Sequence, residues 1–201
     1  MGRIISGIYK GHRLYMPPGK STRPSSDRFK ESLFNVLAGS FVGLSWLDAF
    51  AGSGQIGLEA LSRGAEEVVF VEADRRAVRV LERNLESLRL EDSEQVRLFP
   101  CRLEQALKQF AEQSMRFDYI YLDPPWQREK AYARLEESLL KGELLKPGTR
   151  IVTESDSSHP CPFAEIAEKI AYTTLFERDY GAARLAVYGR VESASSEEES
   201  S

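Results

Sequence analysis

A chain of 201 residues, 42% hydrophobic and 29% charged, has the composition of one ordinary globular domain with a substantial core. Its two cysteines and two histidines show no metal-ligand spacing, and no apolar run reaches membrane-spanning length, which argues against a disulfide scaffold, a zinc site and a membrane span. We therefore expect a cytoplasmic monomer that needs neither a metal nor a membrane.

The net charge of −4 is an average over two unlike ends. Residues 1–30 contain seven basic side chains and one acid, whereas residues 191–201 contain four acids and no base. A basic surface near the amino terminus favours a polyanionic partner, although solvated charges alone would give the same count. The Ser/Glu-rich tail predicts disorder. The candidate residues for contact with such a partner are Arg3, Lys10, Arg13, Arg23 and Arg28.

The first predicted element is a small hairpin formed by two strand-like pieces in residues 3–15, around Gly7 and Gly11. A Pro/Gly/Ser-rich loop follows at residues 17–26. Asp27 is a candidate N-cap for a helix whose apolar face carries Phe29, Leu33, Phe34 and Leu37.

From residue 45 onward, predicted strands and helices alternate. The pattern predicts strands at 46–50, 68–72, 96–99, 119–122 and 151–153, with helices at 55–63, 75–90, 103–110, 130–140 and 163–170. Two closing strands at 172–177 and 184–188 have no helix between them. We therefore expect an α/β fold with a mostly parallel seven-stranded sheet, helices on both faces and an antiparallel edge pair.

A glycine-rich turn, DAFAGSGQIG at residues 48–57, lies where the first of these strands meets its helix. Glycines there would let a ligand approach the backbone closely. Glu72 ends the next strand, 18 positions (72 − 54) after Gly54, where an acid can bind ribose hydroxyls. Dinucleotide and adenosylmethionine sites share this pattern. Asp48 favours the second, because a carboxylate suits a cationic methionine moiety better than a pyrophosphate.

The sequence Asp123-Pro124-Pro125-Trp126 follows a buried strand and indicates the chemistry. The Asp123 carboxylate and the Pro124 carbonyl could accept the hydrogens of an exocyclic base amine and orient its nitrogen for attack on a methyl sulfonium. Pro125 would fix the turn, and Trp126 would stack on the base. No general base of unusual pKa is required, since the proton can leave after transfer.

Several segments together resemble one family, the bacterial 16S rRNA (guanine-N2)-methyltransferases of the RsmD type. They are RIISGIYKGHRL at 3–14, TRPSSDR at 22–28, ESLFN at 31–35, LDAFAGSG at 47–54, GLEALSRG at 57–64, FVE at 70–72 and DPPW at 123–126. The Thr22-Arg23-Pro24 segment is the part specific to this family, because the glycine turn and the Asp-Pro-Pro motif alone indicate only an amino-methyltransferase.

The resemblance implies a class I (Rossmann-like) S-adenosyl-L-methionine-dependent methyltransferase domain at 27–190, a basic hairpin and loop at 1–26, and a disordered acidic tail at 191–201. Its substrate would be the N2 of a guanine in 16S rRNA of the assembling small ribosomal subunit. The implied cofactor-binding residues are Asp48, Phe50, Gly52, Gly54, Glu72, Ala73, Cys101, Arg102 and Asp123, and the implied catalytic residues are Asp123, Pro124, Pro125 and Trp126.

Two positions depart from the family pattern. Residues 100–102 read Pro-Cys-Arg where the family often has an acidic or Asn-Ala step, and Trp126 stands where Tyr or Phe is common. Other hypotheses consistent with the motifs are an N6-adenine methyltransferase acting on DNA or RNA, a glutamine methyltransferase, a nicotinamide or flavin oxidoreductase, and a non-catalytic RNA-binding factor.

Overall fold

Strands and helices alternate from residue 45 onward in the computed structural model, which describes residues 2–17, 25–37, 39–123, 129–157 and 163–190. The helices are α1 (Ser25–Val36), α2 (Gln55–Ser62), α3 (Arg75–Ser87), α4 (Leu103–Glu112), α5 (Glu129–Leu140) and α6 (Phe163–Lys169). The strands are β1 (Gly2–Arg3), β2 (Arg13–Leu14), β3 (Ser45–Asp48), β4 (Glu67–Val71), β5 (Val96–Phe99), β6 (Phe117–Leu122), β7 (Leu145–Asp156), β8 (Thr173–Tyr180) and β9 (Ala183–Gly189).

The main sheet has seven strands in the order β5-β4-β3-β6-β7-β9-β8. Strands β3 to β7 pair in parallel, while β9 is antiparallel to both β7 and β8. The mostly parallel sheet and its antiparallel pair are thus confirmed. The chain adds strands on one side of β3 and then returns to the other side at β6. This reversal creates a switch point between β3 and β6, where open α/β sheets place their ligands.

Apolar side chains cover both faces of the sheet, as a parallel sheet requires. One core cluster includes Phe110 of α4, Leu135 of α5 and Phe163 of α6. The other includes residues of α1, α2, α3 and the N-terminal segment, among them Leu33, Leu58, Leu81, Ile4 and Leu14. Trp46 is fully buried in this second cluster, stacked against Phe34 and Tyr119.

The predicted N-terminal hairpin is present as a separate two-stranded sheet. Gly2 pairs with Leu14 and Arg3 pairs with Arg13 in antiparallel register. Each strand has only two residues, and the segment between them includes a bend at residues 6–7 and a turn at residues 8–11. The apolar pattern predicted longer strands because Ile4 packs in the core, and Ile4 still exchanges backbone hydrogen bonds with His12 and Gly11 beyond the two assigned strands.

Some predicted boundaries are wrong. Helix α1 begins at Ser25, so Asp27 lies in its first turn instead of capping it, and the Asp27 carboxylate lies 2.8 Å from Nε of Arg3. Strand β7 has 12 residues where three were expected, because it pairs with both β6 and β9 well beyond its apolar centre. Helix α3 ends at Ser87, before a left-handed Arg89 with φ 59°.

No helix in the described part of the chain is both long and apolar enough to cross a bilayer. Within the same residues, no group of three or more His, Cys, Asp or Glu side chains is arranged to hold a metal ion. The predicted disorder of residues 191–201 lies outside the described residues, and the division of the chain at residue 26 stays a prediction.

Candidate active site

Three acidic residues stand at the carboxyl ends of three neighbouring strands. Asp48 is the last residue of β3, and its register partners are Phe70 of β4 and Tyr121 of β6. Glu72 and Asp123 each lie two residues beyond those partners. The structure therefore brings Asp48, Glu72 and Asp123 together at the switch point, although they are far apart in sequence.

The glycine turn is tied to the strands on both of its sides. The Ala49 amide donates to the Tyr121 carbonyl (3.0 Å), and the Ala51 amide donates to the Val71 carbonyl (2.9 Å). Phe50, between them, is partly buried against the core cluster that includes Phe110 and Phe163. These bonds fix the position of the turn relative to β4 and β6.

The glycines of this turn serve two different purposes. A Cβ atom added to Gly54 would lie 2.3 Å from Cδ1 of Leu81, and one added to Gly57 would lie 2.3 Å from Cε1 of Phe70. Those two glycines allow helix α2 to pack closely within the protein. A Cβ added to Gly52 meets no atom within 4 Å. Open space for a ligand beside this turn is thus found at Gly52.

Both carboxylates flanking the turn accept backbone hydrogen bonds from it. Glu72 accepts from the Gly52 amide (2.8 Å) and from the Asp74 amide (2.7 Å). Asp48 accepts from the Gly57 amide at the start of α2 (3.1 Å). The acids therefore shape the turn, and each carboxylate has further lone pairs with which to accept hydrogen bonds from a ligand.

Asp48 is only 1% exposed and carries an unusual proton affinity. Burial raises its pKa to about 7, with smaller contributions from the negative charges of Asp123 and Glu72. The backbone bonds from Gly57 and Phe50 oppose this rise. The acids concentrate negative charge around a buried carboxyl, an environment that a bound cation would relieve.

Asp123 is exposed, directly after β6. Its charge contributes to the raised pKa of Asp48 and also to that of the buried Tyr121, so it lies within electrostatic range of both. The predicted partners Pro124, Pro125 and Trp126 lie outside the described residues. The structure thus places Asp123 beside the glycine turn.

The same edge continues to β5. The Glu72 amide donates to the Phe99 carbonyl (3.2 Å), and so does the Cys101 amide (2.8 Å). Cys101 is partly buried, and burial raises the pKa of its thiol. Ala73 is partly buried and Arg102 is exposed. Contact of these residues with a cofactor stays a prediction.

Sequence reasoning missed Glu154, a residue of β7 at this same edge. The Tyr121 hydroxyl donates a hydrogen bond to its carboxylate. The pairing of Leu122 with Thr153 brings Glu154 next to Asp123, and strand register of this kind is not readable from one strand alone.

Sequence reasoning also missed the residues that attach the hairpin to the domain. Glu59 of α2 is fully buried, and its carboxylate accepts from the amides of Ile5 (2.8 Å) and Ser6 (3.0 Å) and from Nε of Arg63 (2.8 Å). Ser62, three residues along the helix, accepts from the Tyr9 amide (3.0 Å). Helix α2 therefore holds one end of the N-terminal segment through satisfied polar groups.

Asn84 of α3 connects the hairpin to the glycine turn. Its Oδ1 accepts from the Tyr15 amide (2.7 Å), while its Nδ2 donates to the carbonyls of Tyr15 (3.1 Å) and Ser53 (2.9 Å). The side chain is fully buried. The hairpin consequently lies beside the candidate active site.

The predicted RNA-binding residues are distributed unevenly. Lys10, Arg13 and Arg28 are exposed, and so is Arg3, whose guanidinium also donates to the Asp27 carboxylate. Arg23 lies outside the described residues. The exposed positions keep a basic surface on the side of the domain that carries the hairpin.

A family described as "Conserved hypothetical protein 95" matches residues 2–189. The chain belongs to this family. Curated relatives include YlbH of Bacillus subtilis, 37% identical over 92% of this chain and 97% of that protein, and "Ribosomal RNA small subunit methyltransferase D" of Haemophilus influenzae, 37% identical over 79% and 80%. These relatives confirm the resemblance to the RsmD family of rRNA methyltransferases.

Solved structures agree with this membership. The Escherichia coli protein yhhF superposes with a TM-score of 0.75 at 29% identity, covering 94% of this chain and 97% of that one. This match spans nearly the whole chain.

Proposed function

We propose that this chain transfers a methyl group from S-adenosyl-L-methionine to the exocyclic N2 of a guanine in 16S rRNA, in the cytoplasm and on the assembling small ribosomal subunit. The observation that carries the proposal is the position of Asp123 beside the glycine turn, at the switch point of the sheet. The name of the Haemophilus influenzae relative supports the rRNA substrate.

The described residues fit an adenosylmethionine cofactor. The open space at Gly52 leaves room for a ligand against the backbone, and Glu72 at the end of β4 is placed to accept bonds from ribose hydroxyls. Asp48, buried among other acids, suits the cationic methionine end. The cofactor, when bound, supplies an electrophilic methyl group.

The protein's own contribution is orientation and electrostatics. An exocyclic amine is a weak nucleophile because its lone pair is delocalised into the ring. By accepting one amine hydrogen, the Asp123 carboxylate would hold the nitrogen in an attacking geometry and stabilise the positive charge that develops on it. Pro124 would supply the second acceptor and Trp126 the stacking surface, as the motif predicts.

The test is methyl transfer to small subunits assembled from unmethylated 16S rRNA, followed by nuclease digestion and mass spectrometry of the nucleosides. We expect N2-methylguanosine at one position. N6-methyladenosine, a methylated glutamine or no incorporation would overturn the proposal. Parallel assays with DNA and protein substrates identify the alternative acceptors, and thermal stabilisation by a dinucleotide but not by S-adenosylhomocysteine would indicate an oxidoreductase.

A further inference from the structure

Glu154 lies next to Asp123 across two parallel strands. Leu122 of β6 pairs with Thr153 of β7, and Asp123 and Glu154 are the residues that follow each of them. Asp123 is the first residue after β6, and Glu154 shares a face of the sheet with Tyr121, because Tyr121 pairs with Val152 and alternate residues of a strand extend from the same face. Glu154 is partly buried, so its carboxylate stands at the edge of the site and not in the core.

Tyr121 holds this carboxylate in place. The Tyr121 side chain is 2% exposed, and its hydroxyl donates to Oε2 of Glu154. Burial, together with the charges of Glu154 and Asp123, raises the pKa of Tyr121 well above its ordinary value, so the hydroxyl keeps its proton and is the donor. A carboxylate anchored by a rigid, buried donor is pre-organised, and a carboxylate can accept more than one hydrogen bond at a time.

Guanine and adenine differ at ring nitrogen N1, which in both bases is bonded to the carbon that carries the exocyclic amine. Guanine presents N1–H and N2–H as adjacent donors, whereas N1 of adenine is an acceptor. A carboxylate can accept from guanine N1–H but faces the lone pair of an adenine N1 with repulsion. A site in which a polar group accepts a hydrogen bond from a substrate donor strongly rejects analogues that lack this donor.

We infer that Glu154 is the residue that selects guanine, by accepting a hydrogen bond from N1–H while Asp123 holds the N2 amine. This inference rests on the proposed function and names the specificity determinant of the same site. The two carboxylates divide the work: Asp123 orients the nucleophile, and Glu154 identifies the base that carries it.

The test compares two bases at the methylated position. 2-Aminopurine keeps the exocyclic N2 amine but has an acceptor at N1. With RNA carrying guanine or 2-aminopurine at the position mapped above, we expect the wild-type chain to prefer guanine at least 100-fold in kcat/KM. Glu154→Gln, which can donate to an acceptor at N1, should reduce this preference at least tenfold.

Two further variants separate specificity from structure. Tyr121→Phe removes the hydroxyl but keeps the buried ring, and we expect it to shift the preference in the same direction by a smaller factor. Glu177→Gln, at an exposed residue of β8 that β9 separates from β7, should leave the preference unchanged. Calorimetry with S-adenosylhomocysteine should show wild-type affinity for Glu154→Gln, which verifies that the site is folded.

The outcomes separate the two proposals. If the wild-type chain methylates guanine N2 but Glu154→Gln keeps the full preference, the assignment of Glu154 is wrong while the proposed function stands. If the wild-type chain transfers no methyl group to guanine, the proposed function fails first. Loss of cofactor binding in both Glu154→Gln and Tyr121→Phe would assign the pair to the cofactor site and overturn the inference.

Discussion

The hairpin attachment and the carboxyl edge of the sheet each contain a buried carboxylate, but the two are satisfied in different ways. Glu59 is fully buried and accepts from two backbone amides and the Arg63 guanidinium. Asp48, 1% exposed, accepts backbone bonds but has Asp123 and Glu72 as its charged neighbours. Its pKa is consequently raised to about 7, chiefly by burial.

The difference indicates which buried acid is structural and which is poised for a ligand. A carboxylate paired with a cation inside the protein contributes to the fold, and removing it leaves an unpaired partner. A carboxylate among other acids is held at a cost that a bound cation can relieve. The contrast predicts that variants of Glu59 change stability, whereas variants at the carboxyl edge change ligand affinity or rate.

The largest expected effect is on turnover. Asp123→Ala should lower the rate of methyl transfer roughly 100- to 1000-fold, because it removes an acceptor that stabilises charge developing in the transition state. Affinity for S-adenosylhomocysteine, measured by calorimetry, should change less than about threefold. Asp179→Ala, at an exposed acid of β8, is the matched control. Full turnover in Asp123→Ala would contradict the catalytic assignment.

The next effect is on stability. Glu59→Ala should lower the free energy of unfolding by about 3 kcal/mol, because it leaves the Arg63 guanidinium and two backbone amides without their acceptor. Urea unfolding at constant pH measures the change. Glu66→Ala, at an exposed glutamate just beyond α2, should stay within about 0.5 kcal/mol of the unchanged chain. Equal stability of the two variants would remove the proposed distinction.

A third effect concerns pH. Because the pKa of Asp48 is about 7, its carboxyl group becomes negatively charged as pH rises through neutrality. Affinity for S-adenosylhomocysteine, which carries an ammonium group, should therefore rise roughly tenfold between pH 6 and pH 8. Asp48→Asn should flatten this profile. The raised folded-state pKa also means that the free chain loses stability as pH increases through this window, so binding is measured directly by calorimetry. A flat profile in the unchanged chain would contradict the role of Asp48.

The smallest effect is on RNA affinity. Lys10→Ala and Arg13→Ala should each weaken binding of 16S rRNA about threefold and reduce the slope of log affinity against log salt by nearly one. Lys108→Ala, on helix α4 across the sheet, also removes an exposed positive charge and should have little effect. Filter binding over a salt series distinguishes them, and equal effects at all three positions would indicate non-specific attraction.

Local patterns in the sequence were sufficient to predict the parallel sheet, the antiparallel pair and the hairpin. The group of acids at the carboxyl edge could also be predicted from the sequence. Asp48, Glu72 and Asp123 each stand at the end of an apolar strand, and parallel strands end at a common edge. The site could therefore be assembled from order along the chain.

Contacts that depend on register or on helix packing could not be predicted in this way. Glu154 meets Tyr121 through the pairing of β6 with β7, and Glu59 and Asn84 look like ordinary polar residues of amphipathic helices. The hairpin residues that Glu59 and Asn84 contact lie more than 50 positions away from them in sequence. The close packing of Gly54 against Leu81 and of Gly57 against Phe70 could not be predicted from the motif either, and contact of Gly54 with a cofactor stays a prediction.

The bonds of Asn84 have a practical consequence for dissecting this protein. One amide group serves both Tyr15 in the hairpin and the carbonyl of Ser53 in the glycine turn. Deleting the first sixteen residues would therefore free a buried amide directly behind the turn, and a shortened chain would report on an altered pocket as well as on a missing RNA contact. Point substitutions on the outer surface of the hairpin are the cleaner way to separate the two.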